Sequence, residues 1–204
     1  MRVGLVLATA VAAAIAAPTA RANGDPASDV LPFTTVYFAG QKPETVSSGR
    51  DLVFLTKQAV EKKFPIRVAV IYQPSDLGLI QSLWKKPQAY ANFLGQELIS
   101  FGRYHGTLVV SMPNGFGVFG PGATVRAKRA LARLAPPGDV GFEPFGAATV
   151  AAVQAAASAN GHTLPPPEHS SGTPPWVIAL AALGGAALAA AAAFFGLRRW
   201  LMRG

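Results

Sequence analysis

The stretch that decides the fold runs from Ile66 to Gly122 and reads IRVAVIYQPSDLG at 66–78, KPQAYANFLGQELISF at 86–101 and GTLVVSMPNGFGVFGPG at 106–122. Two apolar runs within it, Val68–Ile71 and Leu108–Val110, are short and rich in β-branched residues. Such runs are typical of buried strands in an α/β sheet. Each run ends in a polar, turn-forming loop, and loops beyond the carboxyl ends of parallel strands are where α/β domains usually place a site.

The segment between these runs is the clearest helix in the chain. Lys86-Pro87 begins it, because proline suits the first helical turn. Its apolar residues have the spacing of a single buried stripe: Tyr90, Phe93, Leu94, Leu98 and Phe101. A strand, a helix and a strand at this spacing predict a right-handed crossover with parallel strands. We therefore expect an α/β fold, a three-layer α/β/α sandwich on a small mixed sheet.

Helices are also predicted on both sides of this unit. One begins at Ser48, where a hydroxyl and a carboxylate three residues later have approximately the spacing of a capping box. It ends before Pro65, because a residue that precedes proline avoids the helical region. Downstream, Thr124 is suited to cap a short helix that runs to about Leu134. An alanine-rich helix from Phe145 to Ala159 then closes the domain.

The glycines after Pro113 have two interpretations. Residues 115–120 are formally G-x-G-x-x-G after a strand, as in a dinucleotide-binding fold. That motif requires a helix to open within the glycines, and Pro121 delays any helix here. Asn114-Gly115 between two apolar runs is instead typical of a type I′ hairpin turn. We expect the hairpin, with glycines that serve backbone geometry.

The two ends of the chain predict a membrane topology. Residues 1–22 combine Arg2, an apolar run and Ala20-Arg21-Ala22, which is the pattern of a secretory signal peptide rather than of a first membrane helix. At the other end, Trp176–Leu197 contains no charged residue and is long enough to span a bilayer. The arginines after it mark the cytoplasmic side. The sequence thus predicts a single-pass cell-membrane protein with an extracytoplasmic N-terminal domain and a cytoplasmic C-terminus.

The segments between these ends follow in a simple predicted order. A lead-in arm at 23–44 precedes the α/β domain at 45–162, a proline-rich linker at 163–175, the transmembrane helix at 176–197 and a basic tail at 198–204. Within the arm, Thr35–Phe38 is either an edge strand or an extended segment on the surface.

Charge and composition exclude several classes of partner and site. The formal net charge is +8, but residues 23–175 carry 13 Lys or Arg against 10 Asp or Glu. The basic balance is therefore mainly a topology signal, and we predict no nucleic-acid partner. The chain has no cysteine, which excludes disulfides, thiolate metal sites and a cysteine nucleophile. Gly185 and Ala189 in the predicted span allow a weak homodimer through close helix approach.

Candidate site residues lie in the loops and hairpin after the two core strands. The polar candidates are Ser75, Asp76 and Asn114, and the apolar candidates are Phe116, Val118 and Phe119. Asp76 either holds a hard cation such as Ca²⁺ or Mg²⁺, or accepts a phosphoryl group, or caps the next turn through its own backbone. The capping role is favoured, so we predict no cofactor. The chain has neither an H-E-x-x-H nor a G-x-S-x-G motif, and Ser111 is expected to be a buried, hydrogen-bonded hydroxyl.

The helix that begins at Thr124 carries four basic residues, Arg126, Lys128, Arg129 and Arg133. Four cations on one helix fit anionic lipid headgroups or another polyanion of the cell envelope. The alternative is a solvated helix face, which the composition favours.

The quoted stretches, extended to FPIRVAVIYQPSDLG at 64–78, resemble actinobacterial membrane-anchored proteins related to the TPM domain. The resemblance covers roughly residues 45–160 and implies an exported α/β sandwich on a small mixed sheet. Some members of that family are phosphatases or bind divalent metals, and others are accessory factors in membrane-complex assembly. The family has acidic residues just after its second core strand, whereas this chain has Pro113-Asn114-Gly115 there. The resemblance therefore implies the fold and the setting, and not catalysis.

Three functions follow as hypotheses. The first is a non-catalytic binding or accessory module for an envelope protein or a membrane complex. The second is a weak divalent-metal-dependent phosphatase that uses Asp76. The third is a structural role in which the basic helix lies on the membrane surface.

Overall fold

The computed structural model of the protein describes residues 24–101 and 104–166, which form one mixed four-stranded sheet with five α-helices. The strands stand in the order β1-β2-β3-β4; the first three are parallel, and β4 is antiparallel to β3. Their bounds are Val36–Phe38, Ile66–Val70, Thr107–Met112 and Gly115–Phe119. The predicted α/β class and small mixed sheet are confirmed.

The helices occupy the connections that the sequence predicts, with one addition near the N-terminus. They are α1 Pro26–Val30, α2 Ser47–Glu61, α3 Pro87–Ser100, α4 Val125–Ala132 and α5 Phe142–Ala159. Three short 3-10 turns lie at Pro43–Thr45, Pro74–Leu77 and Gln81–Leu83. Within 24–101 and 104–166, no helix is both long enough and apolar enough to cross a membrane. The predicted signal peptide, the predicted span at 176–197 and the basic tail lie outside the described residues.

Alternation along the strands divides the core between the two faces of the sheet. On β3, the side chain of Val110 packs with residues of α1 and α3. These two helices cover one face of the sheet, which we call the α3 face. The neighbouring Val109 points the other way and packs with α2, α4 and α5 on what we call the α5 face. Both residues are fully buried, as expected for strands that are covered on both sides.

Residues 24–44 are part of the domain rather than a separate lead-in arm. β1 pairs in parallel with β2, with Val36 opposite Val68. Of the two alternatives for Thr35–Phe38, the edge strand is therefore the one found, and it spans Val36–Phe38. Upstream of it, α1 buries Ala27 and Leu31 on the α3 face. The apolar residues in this segment are too few and too scattered for a helix to be predicted from periodicity.

The start of α2 differs from the predicted capping box. The N-cap residue is Val46, which makes no side-chain cap, and Ser48 lies inside the helix. The free N–H groups of Ser47 and Ser48 instead donate to the two carboxylate oxygens of Glu143, at 2.7 and 3.0 Å. A carboxylate from the first turn of α5 therefore caps α2, which helix-start patterns in the local sequence do not reveal.

The predicted stripe of α3 is only partly buried. Tyr90, Leu94 and Leu98 are fully or almost fully buried, as their spacing predicts. Phe101 is 55% exposed, because the helix ends at Ser100 and Phe101 follows its last turn. The prediction that Phe101 belongs to the core is therefore wrong.

The segment after Pro113 is a hairpin, as expected, although its turn differs from the prediction. Met112 pairs with Gly115, so the two loop residues are Pro113 and Asn114. Among the described non-glycine residues only Lys63 and Lys85 have positive φ, and a type I′ turn requires positive φ at both central positions. The glycines lie in or just after β4 rather than at the start of a helix, which removes the dinucleotide alternative.

Candidate functional site

An open groove with a volume of about 320 Å³ lies beside the free edge of β4, between the start of α3 and the helix α4. The residues that give it its chemistry come from four elements: Gln88, Asn114, Phe116, Val118, Lys128 and Leu131. β4 is the last strand of the sheet, so its outer side faces this groove rather than another strand.

The side chain of Gln88 pairs with the outer edge of β4. Its Nε2 donates to the Val118 carbonyl at 2.9 Å, and the Val118 N–H donates to its Oε1 at 3.3 Å. The carboxamide thus takes the place that the backbone of a fifth strand would occupy. Backbone groups alternate in direction along an antiparallel strand, so the N–H and C=O of Phe116 point to the same side as those of Val118. Phe116 is only partly buried.

The start of α3 approaches β4 so closely that glycine is required. A Cβ added to Gly117 would lie 2.1 Å from the carbonyl oxygen of Pro87, which is a backbone atom that cannot rotate away. Just beyond β4, Gly120 has a φ of +88°, a conformation that side chains disfavour. The glycines of the G-x-G-x-x-G pattern thus allow the contact between helix and strand and the exit from the strand.

The turn before β4 is fixed to the same helix. Asn114 Nδ2 donates to the carbonyl oxygen of Lys85 at 2.6 Å, and Lys85 has a φ of +57°. This bond joins the hairpin turn to the entry of α3, so Asn114 has a structural contact in addition to its place in the groove.

The structure brings together only part of the predicted site. Asn114, Phe116 and Val118 line the groove, whereas Phe119 points to the opposite face of the sheet and packs on the α3 face. Ser75 and Asp76 are not among the residues that line it. The role of all six residues in binding stays a prediction.

Asp76 caps its own turn, the alternative that the sequence favours. Its Oδ2 accepts from the backbone N–H groups of Tyr72 and Gln73, each at 2.8 Å. The side chain is 8% exposed, and it forms a reciprocal capping box with Gln73 at the start of the Pro74–Leu77 turn. In the part of the chain that the structure describes, no group of three or more His, Asp or Glu side chains could hold a metal ion.

The four predicted cations do not form one patch. Lys128 lies at the groove, whereas Arg126 borders a shallow depression formed with the end of α5. At about 100° per residue, Arg126, Arg129 and Arg133 fall within one 60° sector of α4, roughly opposite the buried residues Ala127 and Leu131. All four basic residues are exposed.

Two buried polar contacts join distant parts of the domain. Asp25 is fully buried, and its Oδ1 accepts from the Tyr90 hydroxyl at 2.8 Å. Burial raises the pKa of Asp25 to about 6, despite the hydrogen bonds from Tyr90 and Ala27. On the α5 face, the buried hydroxyls of Ser111 and Thr149 lie 2.9 Å apart, which confirms the prediction for Ser111. Only the Asp25-Pro26 pair, typical of a helix start, could have pointed to Asp25.

Gln88 and Leu131 also line the groove, although the sequence predicts neither as a site residue. Gln88 follows a proline at a helix start, a position that gives no sign of a side chain aimed at a strand. Comparison of the chain with family models, with curated proteins and with solved structures finds no match.

Proposed function

We propose that this protein is a membrane-tethered extracytoplasmic binding module whose groove beside β4 takes an extended segment of an envelope protein. The predicted signal peptide and the predicted span at 176–197 supply the setting. The resemblance to TPM-related accessory factors agrees with it. The observation that carries the proposal is the unpaired outer side of β4 at Phe116. It lies in the groove together with the apolar side chain of Leu134 and the cation of Lys128.

A peptide in extended conformation binds a sheet edge through its backbone. The outward N–H and C=O of Phe116 offer two such hydrogen bonds, while Gln88 already fills those of Val118. Specificity then comes from side-chain pockets, and here the partly buried side chains of Phe116 and Leu134 supply apolar contact. Lys128 at the groove favours an acidic side chain or a terminal carboxylate in the bound segment.

The arrangement of Asp76 supports binding rather than hydrolysis. Its Oδ2 accepts two backbone N–H groups, which is the arrangement of a turn cap. Removal of this carboxylate is therefore expected to lower the stability of the domain.

Photocrosslinking in intact membranes tests the proposed function. A benzophenone amino acid replaces Phe116 in the full chain, and a matched control places it at Ala151, which is exposed on the outer side of α5. We expect a discrete protein adduct from position 116 that is absent from position 151. Lys128→Glu should weaken this adduct, whereas Arg133→Glu, an equal charge change outside the groove, should not.

Equal adducts from positions 116 and 151, or no adduct from either, would contradict the proposal. An adduct at position 116 that survives Lys128→Glu unchanged would leave the groove as the site but remove the preference for an acidic segment.

A further inference from the structure

The described chain ends beside the amino ends of the parallel strands. After α5, the His162 ring stacks on the Phe64 ring with centroids 4.7 Å apart, and Leu164 is buried on the α5 face. Phe64 stands two residues before β2. The chain that leads toward the predicted span therefore leaves the domain at this end of the sheet.

The distance from this exit to the predicted span is short. Residues 167–175 separate the last described residue, Pro166, from Trp176. Nine residues in an extended or polyproline conformation reach about 30 Å at roughly 3.1–3.3 Å per residue. If the tether of the proposed function holds, the amino ends of the strands stay close to the bilayer.

Exposed apolar side chains are concentrated at the same end. Of the seven large apolar residues that are exposed within 24–101 and 104–166, five precede a strand or follow β4 here, and four of these are more than half exposed. They are Phe33 at 88%, Val60 at 54%, Phe101 at 55% and Val125 at 71% exposure. Tyr104 connects the end of α3 to this edge. Its N–H donates to the Leu98 carbonyl, and its hydroxyl lies 3.0 and 2.8 Å from the carbonyl oxygens of Pro65 and Thr107.

Basic side chains lie among these apolar residues. Lys62 and Lys63 are exposed between α2 and Phe64, together with the acidic Glu61. Arg126 follows Val125 and adjoins the end of α5, where the chain exits. We call these three cations and the four apolar residues the amino-end surface.

We propose that the amino-end surface binds the anionic lipid headgroups of the bilayer that holds the tether, a surface different from the groove beside β4. Cations next to exposed aromatic and aliphatic side chains are the combination that an anionic membrane interface binds. Each such cation raises the ratio of membrane-docked to undocked domain about fivefold. α4 runs from this surface toward the groove, so docking turns the groove away from the bilayer.

The absence of cysteine makes a direct test possible in the full chain. Val125→Cys is labelled with an environment-sensitive fluorophore, and the protein is reconstituted into vesicles that contain nitroxide-labelled lipid. Leu79→Cys is the matched control, since Leu79 is 86% exposed and follows the carboxyl end of β2. The vesicles contain phosphatidylcholine with or without phosphatidylglycerol.

We expect lipid quenching of the Val125 probe in the anionic vesicles, little in phosphatidylcholine alone, and none of the Leu79 probe in either. The triple change Lys62→Gln, Lys63→Gln and Arg126→Gln should abolish the quenching. The same charge change at the opposite end, by Lys42→Gln, Lys85→Gln and Arg133→Gln, should leave it unchanged. High salt should reduce it.

Flotation separates the two proposals. Protein that fails to float with the vesicles has no tether, which overturns the proposed membrane setting and this inference together. Protein that floats with an unquenched Val125 probe, or with equal quenching in both lipid compositions, overturns this inference alone. A spectral shift of the probe that grows with protein density in phosphatidylcholine indicates a second copy of the chain on the surface, and also overturns it.

Discussion

The Tyr90 hydroxyl donates a 2.8 Å hydrogen bond to the carboxylate of Asp25, and both side chains are fully buried. The contact joins the N-terminal segment to α3 across 65 residues. The other carboxylate oxygen of Asp25, Oδ2, has no hydrogen-bond partner among the described residues. The contact therefore links two distant parts of the chain. It does so through a carboxyl group whose charged form is disfavoured by burial.

This burial predicts a specific dependence of stability on pH. Because the pKa of Asp25 rises from 3.8 to about 6 on folding, its contribution is fully present below pH 4 and is lost as the pH rises through about 6. The free energy of unfolding of the wild type should fall on the order of 2–3 kcal/mol as the pH rises from 4 to above 6. Asp25→Asn should abolish this fall. Thermal melts at pH 4 to 7 test this, with Asp139→Asn as the exposed control. Parallel pH profiles for the wild type and Asp25→Asn would contradict it.

A second prediction concerns the cap on α2. Burial alone would raise the pKa of Glu143, but the hydrogen bonds from Ser48 and Ser47 outweigh it and lower the pKa below the ordinary value. Its stabilisation is thus present above pH 4.5 and is lost as the pH falls through the lowered value. Glu143→Gln should cost roughly 0.5–1 kcal/mol at pH 7, near the low end of capping effects because the group is exposed. Urea unfolding measures this, and a similar loss in the exposed Glu44→Gln would argue against the cap.

A third prediction concerns the close approach of α3 to β4. Gly117→Ala places a Cβ against the backbone oxygen of Pro87, so helix and strand must separate at a cost of about 1–3 kcal/mol. Separation also breaks the pairing of Gln88 with Val118, so hydrogen exchange of the Val118 amide should accelerate. Gly141→Ala is the control, since a Cβ there meets nothing within 4 Å. Equal effects of the two changes would show that the contact is not the cause.

A fourth prediction separates the two roles of Asp76. Asp76→Ala removes the acceptor of two backbone N–H groups and should destabilise the domain by roughly 1–3 kcal/mol. The wild type should show no phosphomonoesterase activity with Mg²⁺, Mn²⁺ or Ca²⁺, and calorimetry should show no binding of these ions. Metal-dependent phosphatase activity that disappears in Asp76→Ala, at a temperature where that variant is folded, would favour the enzyme hypothesis.

Local patterns predict most of the sheet but not the contacts between distant elements. Val68–Val70 in β2 and Leu108–Val110 in β3 are continuous apolar runs because they are buried on both faces, and this composition is visible in the sequence. The cap from Glu143 and the bond between Asp25 and Tyr90 join residues 65 to 96 positions apart, which no local pattern specifies.

The same reasoning explains the partial prediction of the groove. Asn114, Phe116 and Val118 are close in sequence and follow a predicted strand, so the sequence predicts them as one group. Gln88 and Lys128 reach the groove from α3 and α4, which required the fold. Phe119 was selected for its proximity in sequence, but alternation along β4 places it on the other face.

The distant cap on α2 also bears on the order in which the domain forms. Ser47 is the first residue of α2, and its partner Glu143 follows it by 96 positions. Contacts of such long range form late, because the entropy of closing the loop must first be overcome. A chain that emerges residue by residue therefore completes this part of its fold only once α5 has emerged. Under the proposed export of an unfolded chain, the cap on α2 would therefore form only after α5 has also crossed the membrane.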